Sequence, residues 1–442
     1  MIITLEFRKK VQTAFGRMQS KSDFLSLLNL AKQEIYGEKT IPFSEKQFNY
    51  YLTKDSSILK SKIDFKIDLS GDTAVINENV IVEKKNQQRK SCYTTFTIRK
   101  KSGKDRTIHA PVKGLKEFQK ALNIILQCLY EPHSAATGFV TGKSIVDNAK
   151  KHVGQTYVYN IDLKDFFPSI DRSRVWGRLL VAPFNLGNSN ERRTLSNFIA
   201  TICSTPMTVE RLVSNEWVMQ TKSVLPQGAP TSPTLTNIIC EKLDKRLAGV
   251  AKRFGLNYTR YADDITFSSK HNTYEVSDSK VEKIFVAGSS FDCEVRKIIS
   301  EQNFHIKESK VRLQKKGYRQ EVTGLVVNDK INVSRRYIKQ LRQWLYLWES
   351  YGYEKAYSFF LNYYLADKGH VKSEKPNMAM VIDGKLLYLK MVKGNDDGTY
   401  LKLKNRFDLL LGSSPQNNTE KVNIVDLIFD IGLDEAMTHY KK

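Results

Sequence analysis

Tyr258-Thr259-Arg260-Tyr261-Ala262-Asp263-Asp264-Ile265-Thr266-Phe267 is the stretch that decides the fold. Apolar and polar residues alternate on both sides of the acidic pair, and the aromatic and β-branched side chains favour extended backbone. The stretch therefore reads as two short strands with Asp263 and Asp264 at the turn between them. Two adjacent carboxylates at a hairpin tip repel each other, and a shared divalent cation relieves that repulsion. Acidic residues also serve simply as turn chemistry, so the metal reading needs a third ligand from elsewhere in the chain.

Tyr157-Val158-Tyr159-Asn160-Ile161-Asp162-Leu163-Lys164-Asp165-Phe166-Phe167-Pro168-Ser169-Ile170 supplies one. The run to Ile161 reads as a buried strand, and Asp162 ends it where Pro168 and Ser169 open a turn or helix. Asp165 is a rival carboxylate, but it falls past the strand end. A carboxylate at one strand end and a pair in a neighbouring hairpin can meet over a sheet and hold two Mg²⁺ ions. In-line phosphoryl or nucleotidyl transfer requires that arrangement.

Asp162 with Phe167 five residues on, then Leu225-Pro226-Gln227-Gly228-Ala229-Pro230-Thr231-Ser232-Pro233, then Tyr261-Ala262-Asp263-Asp264, together resemble the reverse transcriptase palm. Asn148-Ala149-Lys150-Lys151-His152 and Val322-Thr323-Gly324-Leu325-Val326-Val327-Asn328 resemble the bacterial retron-type enzymes and the related defence-associated reverse transcriptases. The resemblance implies an α+β, right-hand polymerase: fingers, a palm of antiparallel sheet with helices, and an α-helical thumb. Its parts fall at 1–88 (N-terminal extension), 89–160 (fingers), 161–330 (palm, with a fingers-type insertion at 181–224), 331–411 (thumb) and 412–442 (linker and tail). The 181–224 connection is longer than the usual retron enzyme carries there, which points to the sister class.

A chain of 442 residues is long enough for several domain-sized units. The formal charge of +23 implies a polyanionic partner, because such an imbalance is self-repulsive unless phosphates neutralise it. No apolar run is long enough for a membrane span, and no cationic-then-apolar leader opens the chain. The five cysteines form no CxxC pair, so neither a zinc site nor a disulfide framework is indicated, and a cytoplasmic setting is expected.

The resemblance also assigns roles. Asp162, Asp263 and Asp264 would hold two Mg²⁺ ions. Phe167 would lie under the sugar of the incoming dNTP and exclude a 2′-hydroxyl, although a single Phe is more often core. Phe96 to Ile108 reads as strand, basic turn, strand, resembling the fingers hairpin that closes over a triphosphate, with Arg106 the first choice and Lys100 or Lys101 the second. Gln227 and Gly228 begin a turn that lets backbone approach the nucleotide. Lys310 is either a proton donor to pyrophosphate or a surface lysine. Asn148 and His152, four apart, either make core hydrogen bonds or touch template RNA. Arg335, Arg336 and Lys339 lie on the outer face of a helix from Ser334 to Tyr351, as a solvated face or as contacts to a duplex backbone. The partners implied are a non-coding RNA template, the cDNA product and dNTPs. The implied function is an RNA-directed DNA polymerase in antiphage defence. A group II intron-type reverse transcriptase/maturase and a non-catalytic RNA-binding scaffold are the alternatives.

Further elements follow from periodicity and caps. Helices are expected at Ser22–Tyr36 with Ser22 as cap, from the Ser44 capping box to Tyr51, at Leu115–Leu129, at Glu191–Cys203, from Gly228 through Ala248, at Val281–Gln302 and at Leu401–Leu411. Hairpins are expected over 60–85 and Ile382–Leu389, with a linker at 412–418 and one short helix in the tail.

Overall fold

The computed structural model describes residues 3–56, 92–99, 105–214, 216–277, 280–368 and 375–413. The expected 60–85 hairpin and the tail beyond Ser413 lie outside these residues. Two compact units emerge, one carrying residues up to Ser334 and another beginning at Arg335.

In the first unit, helices α1 (Leu5–Arg17), α2 (Lys21–Tyr36) and α3 (Glu45–Ser56) open the chain. The cap of α2 is Ser20, not Ser22: Asp23 sits three residues after Ser20 and completes a reciprocal capping box with it. Phe24, Leu28 and Ala31 face inward at helical spacing. Strands β1 (Tyr93–Arg99) and β2 (Asp105–Pro111) form an antiparallel hairpin, with Arg106 opposite Ile98. Helix α4 (Lys113–Leu129) buries Leu115, Phe118, Leu122, Ile125 and Leu126 against α1 and α2.

Then follow α5 (Ile145–Lys150), β3 (Tyr157–Asp162), α6 (Arg172–Leu180) and α7 (Asn190–Ile202). The 181–224 connection ends in a hairpin of two nine-residue strands, β4 (Thr205–Val213) and β5 (Glu216–Val224). Lys164–Glu210 and Arg211–Asp171 ion pairs, each 2.6 Å, tie it to the loop after β3. The helix expected through Ala248 is two helices, α8 (Ser232–Ile239) and α9 (Glu241–Arg253), meeting at Cys240. Strands β6 (Asn257–Tyr261) and β7 (Asp264–Ser269) are the acidic hairpin.

The helix expected over Val281–Gln302 is corrected. Strands β8 (Thr273–Ser277) and β9 (Lys280–Lys283) come first, and helix α10 runs only from Ser290 to Glu301. Gly288 at φ +79° stops any earlier helix, and Ser289 caps the new one through Asp292 N–H. Strands β10 (Arg312–Lys315), β11 (Glu321–Val322) and β12 (Leu325–Val326) complete the unit. The central sheet is antiparallel in the order β10-β3-β7-β6. Its core includes Tyr159, Ile161, Ile265 and Phe267 and is sealed by Phe291, whose ring meets Phe267 edge-on at 5.1 Å.

In the second unit α11 (Arg335–Lys368) is broken at Gly352, whose φ of +77° is left-handed, so the stop expected there is real although helix resumes beyond it. Leu341, Trp344, Leu345 and Trp348 are buried. The expected Ile382–Leu389 hairpin is instead the middle of α12 (Met378–Lys393), because Ile382, Leu386 and Leu389 all bury on one helical face and Asn377 caps the start. Helix α13 (Gly398–Ser413) follows. No described helix is long and apolar enough to cross a membrane.

Candidate active site

The central sheet brings Asp162, Asp263 and Asp264 to neighbouring positions at one end of β3, β6 and β7. Asp162 is the last residue of β3 and Asp264 the first of β7, and the two are direct partners in the antiparallel register. Asp263 occupies the β6–β7 turn, where Ala262 adopts φ +56°. The Leu163 N–H donates to the Asp263 carbonyl at 3.0 Å and the Lys307 N–H to the Asp162 carbonyl at 2.8 Å, so backbone fixes both carboxylate bearers. Lys310 reaches the same place: its Nζ lies 2.6 Å from Asp162 Oδ2.

Burial, and then the Asp162 charge, hold the Asp263 carboxyl above its usual range. Burial and the neighbouring Asp263 charge push Asp264 further, to about 7. Three carboxylates, two of them strained toward protonation by confinement and like charge, are hard oxygen donors that fit a divalent cation. Among the described residues, no group of three or more His, Cys, Asp or Glu side chains is already drawn together as a metal cluster; here Lys310 supplies the positive charge beside Asp162.

Beside the carboxylates, β2 meets the loop between β5 and α8. The His109 N–H donates to the Gln227 carbonyl at 2.9 Å. With the Gln227 amide turned so that its oxygen faces the guanidinium, Oε1 accepts from Arg106 Nε at 3.2 Å and from Nη2 at 3.3 Å. A Cβ at Gly228, which has φ +123°, would lie 2.8 Å from Ile108 Cγ2 and 2.9 Å from the His109 carbonyl, so only glycine permits this approach. Lys100 and Lys101 lie outside the described residues. Phe167 is half-buried, with its ring 5.6 Å from that of Phe166.

Asn148 and His152 are in the interior, and the expected contact of their side chains with RNA is corrected accordingly. Both are 0% exposed. Asn148 Oδ1 accepts from Thr137 Oγ1 at 2.7 Å; His152 Nδ1 and Nε2 each lie 2.7 Å from a hydroxyl, those of Ser268 and Thr259. They brace the acidic hairpin from behind. Burial lowers the His152 pKa to about 3, so the folded protein keeps it neutral where the unfolded chain takes up a proton. The folded-state value is the depressed one, so stability is lost as pH falls from about 6.5 toward 3, by about 1.4 kcal/mol per unit from this residue. Denaturant midpoints of wild type and His152→Asn at pH 7.5 and 5 should show the wild type losing more across that interval; parallel losses would discard this account.

Residues 98–327, just over half the chain, match the family described as reverse transcriptase (RNA-dependent DNA polymerase). The chain belongs to that family. Among curated proteins it is 35% identical over 260 residues to the retron Mx65 reverse transcriptase of Myxococcus xanthus, covering 59% of this chain and 57% of the relative. It is 40% identical over 258 residues to the retron Mx162 enzyme of the same organism, covering 57% and 51%. It is 34% identical over 255 residues to the retron Ec86 reverse transcriptase of Escherichia coli, covering 57% and 68%. The match thus spans little more than half the length of the two Myxococcus relatives, and within its family the chain is of the retron type.

This reverse transcriptase chain also holds site residues that the motifs missed. Arg260, 0% exposed, pairs with Asp244 through two contacts of 2.7 Å, and Tyr258 donates to the same carboxylate at 2.8 Å. Its period-2 position with Tyr258 put it on an inward face, and a buried arginine demands a carboxylate; that signal was present in the sequence. Phe139 was also missed: its ring is 5.9 Å from Phe167 and 6.5 Å from Tyr261. In the second unit, Arg335, Arg336, Lys339 and Arg342 lie exposed on α11, opposite its buried Leu341 and Leu345.

Proposed function

We propose that this chain is an RNA-directed DNA polymerase. The supporting observation is the strand register that sets Asp162 opposite Asp264, with Asp263 in the adjoining turn and Lys310 within reach. Two Mg²⁺ ions held by the three aspartates would lower the pKa of the primer 3′-hydroxyl and neutralise the charge that builds on pyrophosphate. The chain's own residues supply the rest. Arg106 forks the triphosphate oxygens once the nucleotide displaces the Gln227 amide from its guanidinium. Phe167 lies under the sugar and admits deoxyribose. As the 3′-oxygen gives up its proton to solvent and bonds to the α-phosphorus, the bond to pyrophosphate breaks and Lys310 Nζ gives a proton to the departing oxygen. The exposed cations of α11 bind duplex backbone without regard to sequence. On this reading the parts are fingers at 89–160, palm at 161–330 and thumb at 331–411.

Retron kinship supports two finer parts of the reading: the template is a non-coding RNA bound to the protein, and the cDNA acts in defence against phage. RNA and DNA co-purified from the native locus would be sequenced beside an Asp263→Asn/Asp264→Asn control. One structured RNA in both preparations, with complementary DNA in the wild type alone, is the expected result. Bound RNA with no DNA in either preparation, during phage infection included, would favour a binding scaffold.

A further inference from the structure

Phe139 belongs to no motif, yet it is held with unusual completeness. Its φ of +60° is a conformation that bulky residues rarely adopt and that persists only where the surroundings over-determine it. Here they do. On one side the Thr137 N–H donates to the Arg260 carbonyl at 2.9 Å and its Oγ1 donates to Asn148 Oδ1 at 2.7 Å. On the other, Asn237 Nδ2 donates to the Gly138 carbonyl at 3.0 Å and to that of Phe139 at 3.4 Å, while its Oδ1 accepts from Arg260. Between them Gly138 lies so close to the acidic turn that a Cβ would come 2.5 Å from the Ala262 N atom. The loop is thus fastened to Arg260 and packed on Tyr261 and Ala262, the three residues before Asp263.

What this fastening presents is one ring. Phe139 is 39% exposed, although a phenylalanine with only a packing role would be expected inside. Its ring stands 5.9 Å from Phe167, which has Phe166 as its other aromatic neighbour at 5.6 Å. Phe166 is in turn buried against Phe304 at 5.6 Å. Phe167 therefore has one aromatic neighbour fixed by the core and another fixed by the acidic hairpin.

We propose that Phe139 is a positioning residue for sugar selection, holding the Phe167 ring against the 2′ position of the incoming nucleotide so that a ribonucleotide cannot push it aside. This rests on the reading of Phe167 as the sugar gate. A gate ring with one open side can rotate away from a hydroxyl; a second wall removes that escape. The residue touches no reacting atom, so its signature is selectivity rather than rate.

Single-nucleotide incorporation by the full chain on a primed homopolymeric RNA template with Mg²⁺ tests this, with kcat and KM measured separately for the matched dNTP and rNTP. In Phe139→Ala the dNTP over rNTP preference should fall about tenfold, chiefly through a lower KM for the rNTP, the scale of a steric contact in a binding pocket. Phe139→Tyr, which keeps the ring, should restore it, and Phe167→Ala is the benchmark. Relaxed selectivity in Phe167→Ala with none in Phe139→Ala would overturn the proposal and leave the gate standing. Unchanged selectivity in Phe167→Ala would overturn the gate and this proposal together. Equal loss of dNTP and rNTP use in Phe139→Ala would make Phe139 a general scaffold residue and overturn it as well.

Discussion

Asp263→Asn is expected to lower DNA synthesis by about a thousandfold or more and to leave RNA binding in place. The substitution keeps the shape of the side chain and removes one anionic oxygen donor. Transition-state charge stabilisation of several kcal/mol is what a bound ion contributes, and each 1.36 kcal/mol is about tenfold in rate. The substitution is not expected to destabilise the fold. Burial and the Asp162 charge already press Asp263 toward its neutral form, so a neutral amide relieves repulsion there. Primer extension and a gel-shift titration with the co-purified RNA, run on one preparation, separate the effects. More than a tenth of wild-type synthesis remaining would remove Asp263 from the catalytic set, and a parallel collapse of RNA binding would point to misfolding.

The largest effect on stability is expected at Arg260. Its guanidinium is fully buried and grips Asp244, itself 1% exposed, with Nε and Nη2 on separate oxygens at 2.7 Å. Among the described residues, Arg260→Met leaves the buried Asp244 carboxylate with the Tyr258 hydroxyl as its side-chain donor. Breaking one side of a buried pair typically costs about 3–5 kcal/mol. Arg260→Met/Asp244→Leu should recover part of this, because no buried charge then lacks a partner. Urea unfolding of the three proteins gives the comparison. A single variant within about 1 kcal/mol of wild type would show that the pair is replaceable by packing alone.

The central hairpin, β3 and the position of Asp162 were legible because their period-2 patterns are strong and their ends carry turn chemistry. The same local reasoning failed at Val281–Gln302, where apolar residues at mixed spacing served strands first and a helix only after Gly288. It failed again at Ile382–Leu389, where Asp383-Gly384 resembles a turn but the burial of Ile382, Leu386 and Leu389 carries helix through the glycine. Tertiary packing decided both. In the site, Lys310 could not be told from any other lysine of so basic a chain, since its meaning lies in a contact with Asp162 far away in sequence. Asn148 and His152 carried a family motif, but no local pattern says that both are sealed behind the sheet. Phe139 needed three dimensions altogether.

The seam where the His109 N–H meets the Gln227 carbonyl has a mechanical consequence. It ties β2 to the loop between β5 and α8, while the Val112 N–H to Cys92 carbonyl bond at 2.9 Å closes the base of the β1–β2 hairpin itself. Arg106 stands just outward of that seam. The hairpin is then a cantilever with a built-in root: on the role proposed for Arg106, a nucleotide pressing on it would flex a short outer arm rather than swing the whole element. Stiffness at the root sets how far the guanidinium travels, and Gly228 sets that stiffness, since any side chain there would wedge the joint apart.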